Sequence, residues 1–175
     1  VGWPRCGEID IMEGKVRFPP ICSNIGQPLT NNRIFPQGRL PSWTSGAVHR
    51  GPSPDRNWID HHSITLAADL TADFHVFAAE WRDNEIRWFV DGIHFHTVTP
   101  PHPKDGEHAA RDVLCSDGRQ LCSYWPFDHG HPFFLLLNLA IGGWFDAPYA
   151  VDDTAFPADL QVRYVRVYQK APARG

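Results

Sequence analysis

The chain has 175 residues, of which 42% are hydrophobic and 21% charged, with a formal net charge of −4. That balance gives one domain, or a large piece of one, and excludes disorder over the whole length. Its 16 Lys and Arg residues are scattered rather than grouped, which excludes a phosphate-tracking groove, so no nucleic-acid partner is expected.

Period-2 alternation dominates the sequence. Residues Glu8 to Glu13, Gly46 to Arg50, Phe74 to Trp81, Ile86 to Val90, Ile93 to Val98, Phe133 to Ile141 and Leu160 to Gln169 all read as strands rich in Val, Ile, Phe, Trp and Tyr. Asp91-Gly92 separates two of these runs, and Asp-Gly suits the two-residue hairpin turn because both central residues take positive φ. Pro19-Pro20, Pro52 to Pro54 and Pro100 to Pro103 mark loops, since Pro cannot donate to a ladder. Only Asp105 to Leu114 has a weak helical pattern. Many short strands with turns between them predict an all-β fold, a β-sandwich or jelly roll. The longest apolar stretch, Phe133 to Gly143, is broken by Asn138 and falls well short of the ~20 residues of a spanning helix, so a soluble protein with no membrane partner is expected.

Aromatic content stands out: 7 Trp, 11 Phe and 4 Tyr make 13% of the chain, more than a core of this size requires. Sugars and other flat ligands use such rings. Cys6, Cys22, Cys115 and Cys122 make an even number that suits an oxidising compartment, and they lack the C-x₂-C spacing of a zinc or redox site. A secreted, extracellular protein is expected. Small-ring closure favours a Cys115–Cys122 bridge, which leaves Cys6 with Cys22. The opening Val-Gly-Trp-Pro carries no Met or apolar leader and reads as the start of a mature fragment or of a truncated chain rather than as a native N-terminus.

The most informative octet is Gly7-Glu8-Ile9-Asp10-Ile11-Met12-Glu13-Gly14. In a regular strand Glu8 and Asp10 share a face and Glu13 falls on the other; a β-bulge between Ile11 and Glu13 returns all three to one side. Three carboxylates on one face repel, so at least one holds its proton near neutral pH. A protonated carboxyl beside an ionised one is what glycosidic cleavage requires. A solvated acidic face, or a site for a cation such as calcium, is the alternative. Interleaved Ile9, Ile11 and Met12 argue against it, because they imply a strand whose other face is buried.

Residues Trp3 to Glu13 resemble the signature of glycoside hydrolase family 16 in its bulged E-x-D-x-x-E, laminarinase-like form. The resemblance continues through Gly46 to His49, Asp73 to Trp81, Ile86 to Gly92, Pro132 to Trp144 and Arg163 to Tyr168. It implies a concanavalin A-like jelly roll with a substrate cleft along one sheet. It further implies Glu8 as nucleophile, Glu13 as general acid and base, and Asp10 as the residue that tunes them. The implied activity is retaining endo-hydrolysis of β-1,3-glucan, with mixed β-1,3/1,4-glucan also accepted, by a monomer that needs no cofactor. A non-catalytic β-1,3-glucan recognition module is one alternative; a galactan hydrolase of the same family, acting on agar or carrageenan, is another. Recognition modules of this lineage lose the acids, and this sequence keeps them.

Family members carry several strands ahead of the signature, so residues 1–175 are expected to be the C-terminal larger part of one catalytic domain, its sandwich incomplete at the N-terminus. Arg163 stands where the family often places a calcium-binding Asp, which argues against that calcium. By the same resemblance Trp3 stacks on a sugar and His49 contacts substrate or an acid; core packing is the alternative for each. Asn138, alone in an apolar run, is either a satisfied structural amide or a cleft residue. Trp144 ends a strand, where its ring is placed either to meet substrate or to pack. Trp88 and Phe89 read as structural, and Trp81 is expected near the core. His61-His62, His94/His96 and His129/His131 lack a third ligand at fixed spacing, so no metal site is expected.

Overall fold

The computed structural model describes residues 2–14, 43–67, 69–100, 125–128, 130–142 and 156–170. They fall in two compact units, Val1–Pro132 and Phe133–Gly175. The first unit holds six strands, β1 (Glu8–Glu13), β2 (Trp43–Ser53), β3 (Arg56–Thr65), β4 (Phe77–Arg82), β5 (Glu85–Val90) and β6 (Ile93–Val98). They form two three-stranded antiparallel sheets, ordered β1-β2-β3 and β4-β5-β6. The fold class is all-β, as expected, and no helix among the described residues is long and apolar enough to cross a membrane.

Alternation explains how the sheets meet. In β5 the even positions Ile86, Trp88 and Val90 are wholly buried while Glu85, Arg87 and Phe89 are only half-buried. In β2 the even positions Gly46 and Val48 turn towards that apolar row. Gly46 is needed there: a Cβ would lie 2.3 Å from Trp88 Cδ1, so the glycine lets the indole of one sheet lie flat on the backbone of the other. The odd positions Ser45, Ala47 and His49 point to the opposite face and carry the β1 partners Glu13, Asp10 and Glu8.

The β5–β6 hairpin turns at Asp91 (φ 48°) and Gly92 (φ 78°), the positive pair that the Asp-Gly turn predicts. Asp91 also binds backwards: Val76 N–H donates to its Oδ1 at 2.9 Å, and its Oδ2 lies 2.6 Å from His75 Nδ1. Those contacts hold residues 74–76 off the ladder, so β4 begins at Phe77 rather than Phe74. β2 is longer than Gly46 to Arg50 and runs to Ser53, and Pro52, expected in a loop, lies inside this middle strand at the register shift between Arg50 and Ser53, where the ladder is interrupted. Sequence alternation missed β3 altogether; its Arg-Asn-Trp-Ile-Asp-His-His-Ser-Ile-Thr run is mostly polar, and it forms because β2 offers a full-length partner. Arg50, buried, donates to Asp60 Oδ2 at 2.6 Å across that pair.

The second unit departs from the sequence pattern. Residues 133–141 and 160–169 carry no strand ladder in the structure. A strand exists only through the hydrogen bonds of a neighbour, and the described residues of that unit supply none to each other. Cys6 is a free thiol, against the Cys6–Cys22 pairing. The weak helix at Asp105 to Leu114, Pro101 to Pro103, and the Cys115–Cys122 ring lie outside the described residues.

Overpacking tests the Gly46 contact: Gly46→Ala is expected to lose about 1–3 kcal/mol of stability in denaturant unfolding. A change under ~0.5 kcal/mol, the range of an ordinary surface substitution, would show that the indole does not press on this backbone.

Candidate active site

Gly7 sets up the strand. Its φ of 80° is open to glycine at no steric cost, and a Cβ there would meet Pro126 at 2.6 Å and Phe127 at 2.8 Å. Gly7 N–H donates to Pro4 O at 3.0 Å, closing the turn that brings Trp3 back over the strand. From Gly7 onward β1 pairs Glu8 with His49, Ile9 with Val48 and Asp10 with Ala47. Then the register shifts. Glu13 pairs with Ser45, so Ile11 and Met12 both stand opposite Gly46. Two residues against one is a β-bulge, and it resets the parity so that Glu8, Asp10 and Glu13 share the face of Ser45, Ala47 and His49. Met12 is exposed at this bulge and Ile9 and Ile11 are half-buried, so the strand's second face is less covered than its apolar residues imply.

On the shared face the groups interlock. Trp3 Nε1–H donates to Glu8 Oε2 at 2.5 Å, with the indole itself 44% exposed beside the acids. His49 Nε2 lies 3.1 Å from Asp10 Oδ2, an ion-pair distance with poor hydrogen-bond alignment. Its other nitrogen, Nδ1, is 2.8 Å from Asn57 Nδ2. If the amide donates there, Nδ1 is the acceptor and Nε2 carries the proton towards Asp10. Trp3 and His49 rings lie 6.0 Å apart. From β3, Ile59 and His61 stand opposite His49 and Ala47 and extend the same face outward.

Burial raises the Glu8 carboxyl above its usual 4.5, with the Asp10 charge adding to the effect; the Trp3 hydrogen bond and the His49 charge oppose it. Glu13 is also raised, again by burial first and then by Asp10, with His49, and after it His61, acting to lower it. His49 is raised above 6.5 by its contact with Asp10, against the cost of burial. Two carboxyls that resist ionisation beside an imidazole that favours its proton can donate, accept and stabilise positive charge on one flat surface.

Glu8, Asp10 and His49 also offer one ligand atom each, all within 4.8 Å of one another, a grouping that spacing did not foresee. Trp3 and His49 already engage those carboxylates, which is what an acid–base site needs. The sequence singled out Glu8, Asp10, Glu13, Trp3 and His49, and the structure brings these five together. Asn138 lies in the second unit, exposed, and Trp144 lies outside the described residues. Arg163 also belongs to the second unit. Trp81 is 43% exposed rather than in the core, its indole donating to Phe127 O at 2.7 Å. Asn57 and His61 were missed as members of this face; the signal was their odd parity with His49 across a strand pair that polarity concealed.

Residues 38–113 match the model of Glycosyl hydrolases family 16. The chain is 35% identical over 167 residues to a Beta-glucanase of Rhodothermus marinus, covering 95% of this chain and 46% of that protein. The chain is thus similar to glycosyl hydrolase family 16. A Glucan endo-1,3-beta-glucosidase A1 of Niallia circulans is 31% identical over 171 residues, covering 96% of this chain and 20% of that protein. A Glucan endo-1,3-beta-glucosidase of Cryptopygus antarcticus is 30% identical over 143 residues, covering 81% of this chain and 40% of that protein. The chain spans under half the length of these curated relatives.

Because the folded chain holds the Glu13 proton more tightly than the unfolded chain does, Glu13 contributes stability below about pH 4.5 and loses it as pH rises through the folded value. Gln at this position does not titrate. Glu13→Gln should therefore match the parent in Tm at pH 4 and exceed it at pH 8. A Tm difference that stays constant between those pH values would remove the raised carboxyl from this account.

Proposed function

We propose that this domain hydrolyses internal β-1,3 linkages of laminarin-like β-glucan with retention of configuration, mixed β-1,3/1,4-glucan being a further substrate of the same site. One observation carries the reading: the bulge sets two hard-to-ionise carboxyls on one strand face, and their partners differ. Glu8 receives the Trp3 N–H, which favours its anion, whereas the influences lowering Glu13 are the charges of His49 and His61. That asymmetry supports a division of roles. Glu13 keeps its proton to give to the glycosidic oxygen; Glu8 is the anion that attacks the anomeric carbon.

In the first step the bond from C1 to the leaving oxygen breaks, the Glu13 proton goes to that oxygen, and Glu8 forms an ester with C1. In the second, the Glu13 carboxylate takes a proton from water, the water oxygen bonds to C1, and Glu8 leaves as carboxylate. Asp10 lies between the two and raises both, and its pairing with His49 limits how far. The exposed Trp3 ring beside Glu8 offers a sugar its stacking surface. The names of the relatives, beta-glucanase and glucan endo-1,3-beta-glucosidase, support glucan as the polymer. A polymeric glucan does not enter a cell, so the reading carries with it an extracellular protein.

Chromatography of products from laminarin, lichenan and agarose tests the substrate: oligosaccharides from laminarin are expected, fewer from lichenan, and none from agarose. Agarose cleavage with inert laminarin would overturn the assignment. Glu13→Gln should lower kcat by about 10²–10⁴-fold, the contribution of a positioned acid or base, and Glu8→Gln, which loses the nucleophile, should remove nearly all hydrolysis. Asp10→Asn should cost less, and an Asp10 loss equal to that of Glu8 would exchange their roles.

A further inference from the structure

The bulge has two flanks, and a side chain from elsewhere holds each. The register breaks after Asp10 and resumes at Glu13. On the first flank, Trp88 Nε1–H donates to Asp10 O at 2.8 Å. On the second, Thr44 Oγ1–H donates to Glu13 O at 3.1 Å. Both donors are buried, Trp88 at 0% and Thr44 at 1% exposure. Trp88 comes from the opposite sheet and reaches the carboxylate strand only because Gly46, the residue facing the bulge, has no side chain; the ring then rests on that backbone. His96 packs on the other part of the indole at 4.9 Å between centroids, which restrains its tilt.

We propose that Trp88 and Thr44 are positioning residues for the active site, a two-point clasp on the carbonyls flanking the Ile11–Met12 bulge that keeps Glu13 on the face of Glu8 and Asp10. Neither side chain touches substrate. Their physical role follows from side-chain parity: without the extra residue held in place, a strand relaxes towards regular alternation, which turns Glu13 away from Glu8 and Asp10. Buried hydrogen bonds to flanking carbonyls fix a bulge more firmly than exposed ones, since no water competes for the acceptor. Packing alone makes a different demand. A ring of the same shape without the N–H would satisfy the core and leave the clasp open.

This inference rests on the reading of Glu13 as the acid, and its test separates the two. Trp88 is replaced by 3-benzothienylalanine, which keeps the bicyclic shape and exchanges N–H for sulfur, and Thr44→Val keeps the volume and removes the hydroxyl. Two quantities are measured on each variant: the ¹³C titration of the Glu13 carboxyl, and kcat and KM on laminarin across pH. The expected result is a Glu13 titration moved down towards an ordinary glutamate, because the carboxyl leaves its half-buried place beside Asp10. The basic limb of the pH–rate profile should move down with it. Losing the geometry should lower kcat by about 10–10²-fold, the scale of a misplacement near 1 Å, with KM within about twofold of the parent, as for an interaction made only in the transition state. Thr44→Ser, which restores the hydroxyl, should return both quantities to parental values. Variants that melt lower yet keep the parental Glu13 titration, pH profile and kcat would overturn the clasp and leave Trp88 and Thr44 as packing. If the parent does not hydrolyse laminarin while the titration still moves, the proposed function fails and the clasp stands.

Discussion

A β-strand sends successive side chains to opposite faces, and the site depends on one local breach of that rule. Glu8 and Asp10 obey it; Glu13 is five positions from Glu8 and would face the other way. The bulge opposite Gly46 supplies the missing half-period. Everything chemical follows from the three carboxylates meeting on one side, and much of the packing of the first unit serves to make that breach affordable. Gly46 has no side chain, Ala47 has a small one, and Trp88 fills the space behind them.

Bringing like charges together is destabilising, and the structure answers it with partners rather than distance. Trp3 donates to Glu8, His49 faces Asp10, and Asn57 orients the imidazole from behind. The carboxyls nonetheless remain harder to ionise than free glutamates. Raised carboxyls of this kind are the pattern that acid–base chemistry uses, at a cost in stability. The placement also divides labour between layers. The apolar row Ile86, Trp88 and Val90 faces inward, while the ionisable row lies on the opposite face of the first sheet.

Much of this was legible in the sequence because it is local. Glu8 to Glu13 carries both the alternation and its interruption, and Asp91-Gly92 carries its own turn chemistry. What was not legible depends on partners distant in the chain. β3 has too many polar residues to announce itself, yet β2 pairs with it from Trp43 to Ser53 and so brings Asn57 and His61 to the site face. Trp88 reads as a core residue from its strand, and it is one; nothing in Ile-Arg-Trp-Phe-Val shows that its N–H reaches Asp10, 78 positions away. The converse difference arises in residues 133–141 and 160–169, where strong alternation stands without a ladder among the described residues. Pattern signals a capacity to pair, and pairing needs a neighbour.

The central claim is that Glu8 is the nucleophile of a two-carboxyl site whose acid is Glu13. A laminari-oligosaccharide bearing fluorine at C2 and a fluoride leaving group at C1 tests it most directly, because the C2 fluorine slows breakdown of the ester and lets it accumulate. Peptide mass mapping of the inactivated protein should find one sugar, attached to the peptide containing Glu8, and Glu13→Gln treated alike should carry it on Glu8 too, since fluoride leaves without a proton from the acid. A sugar ester on Asp10 or Glu13 in the parent protein, or turnover of laminarin with inversion and no ester at all, would contradict the account.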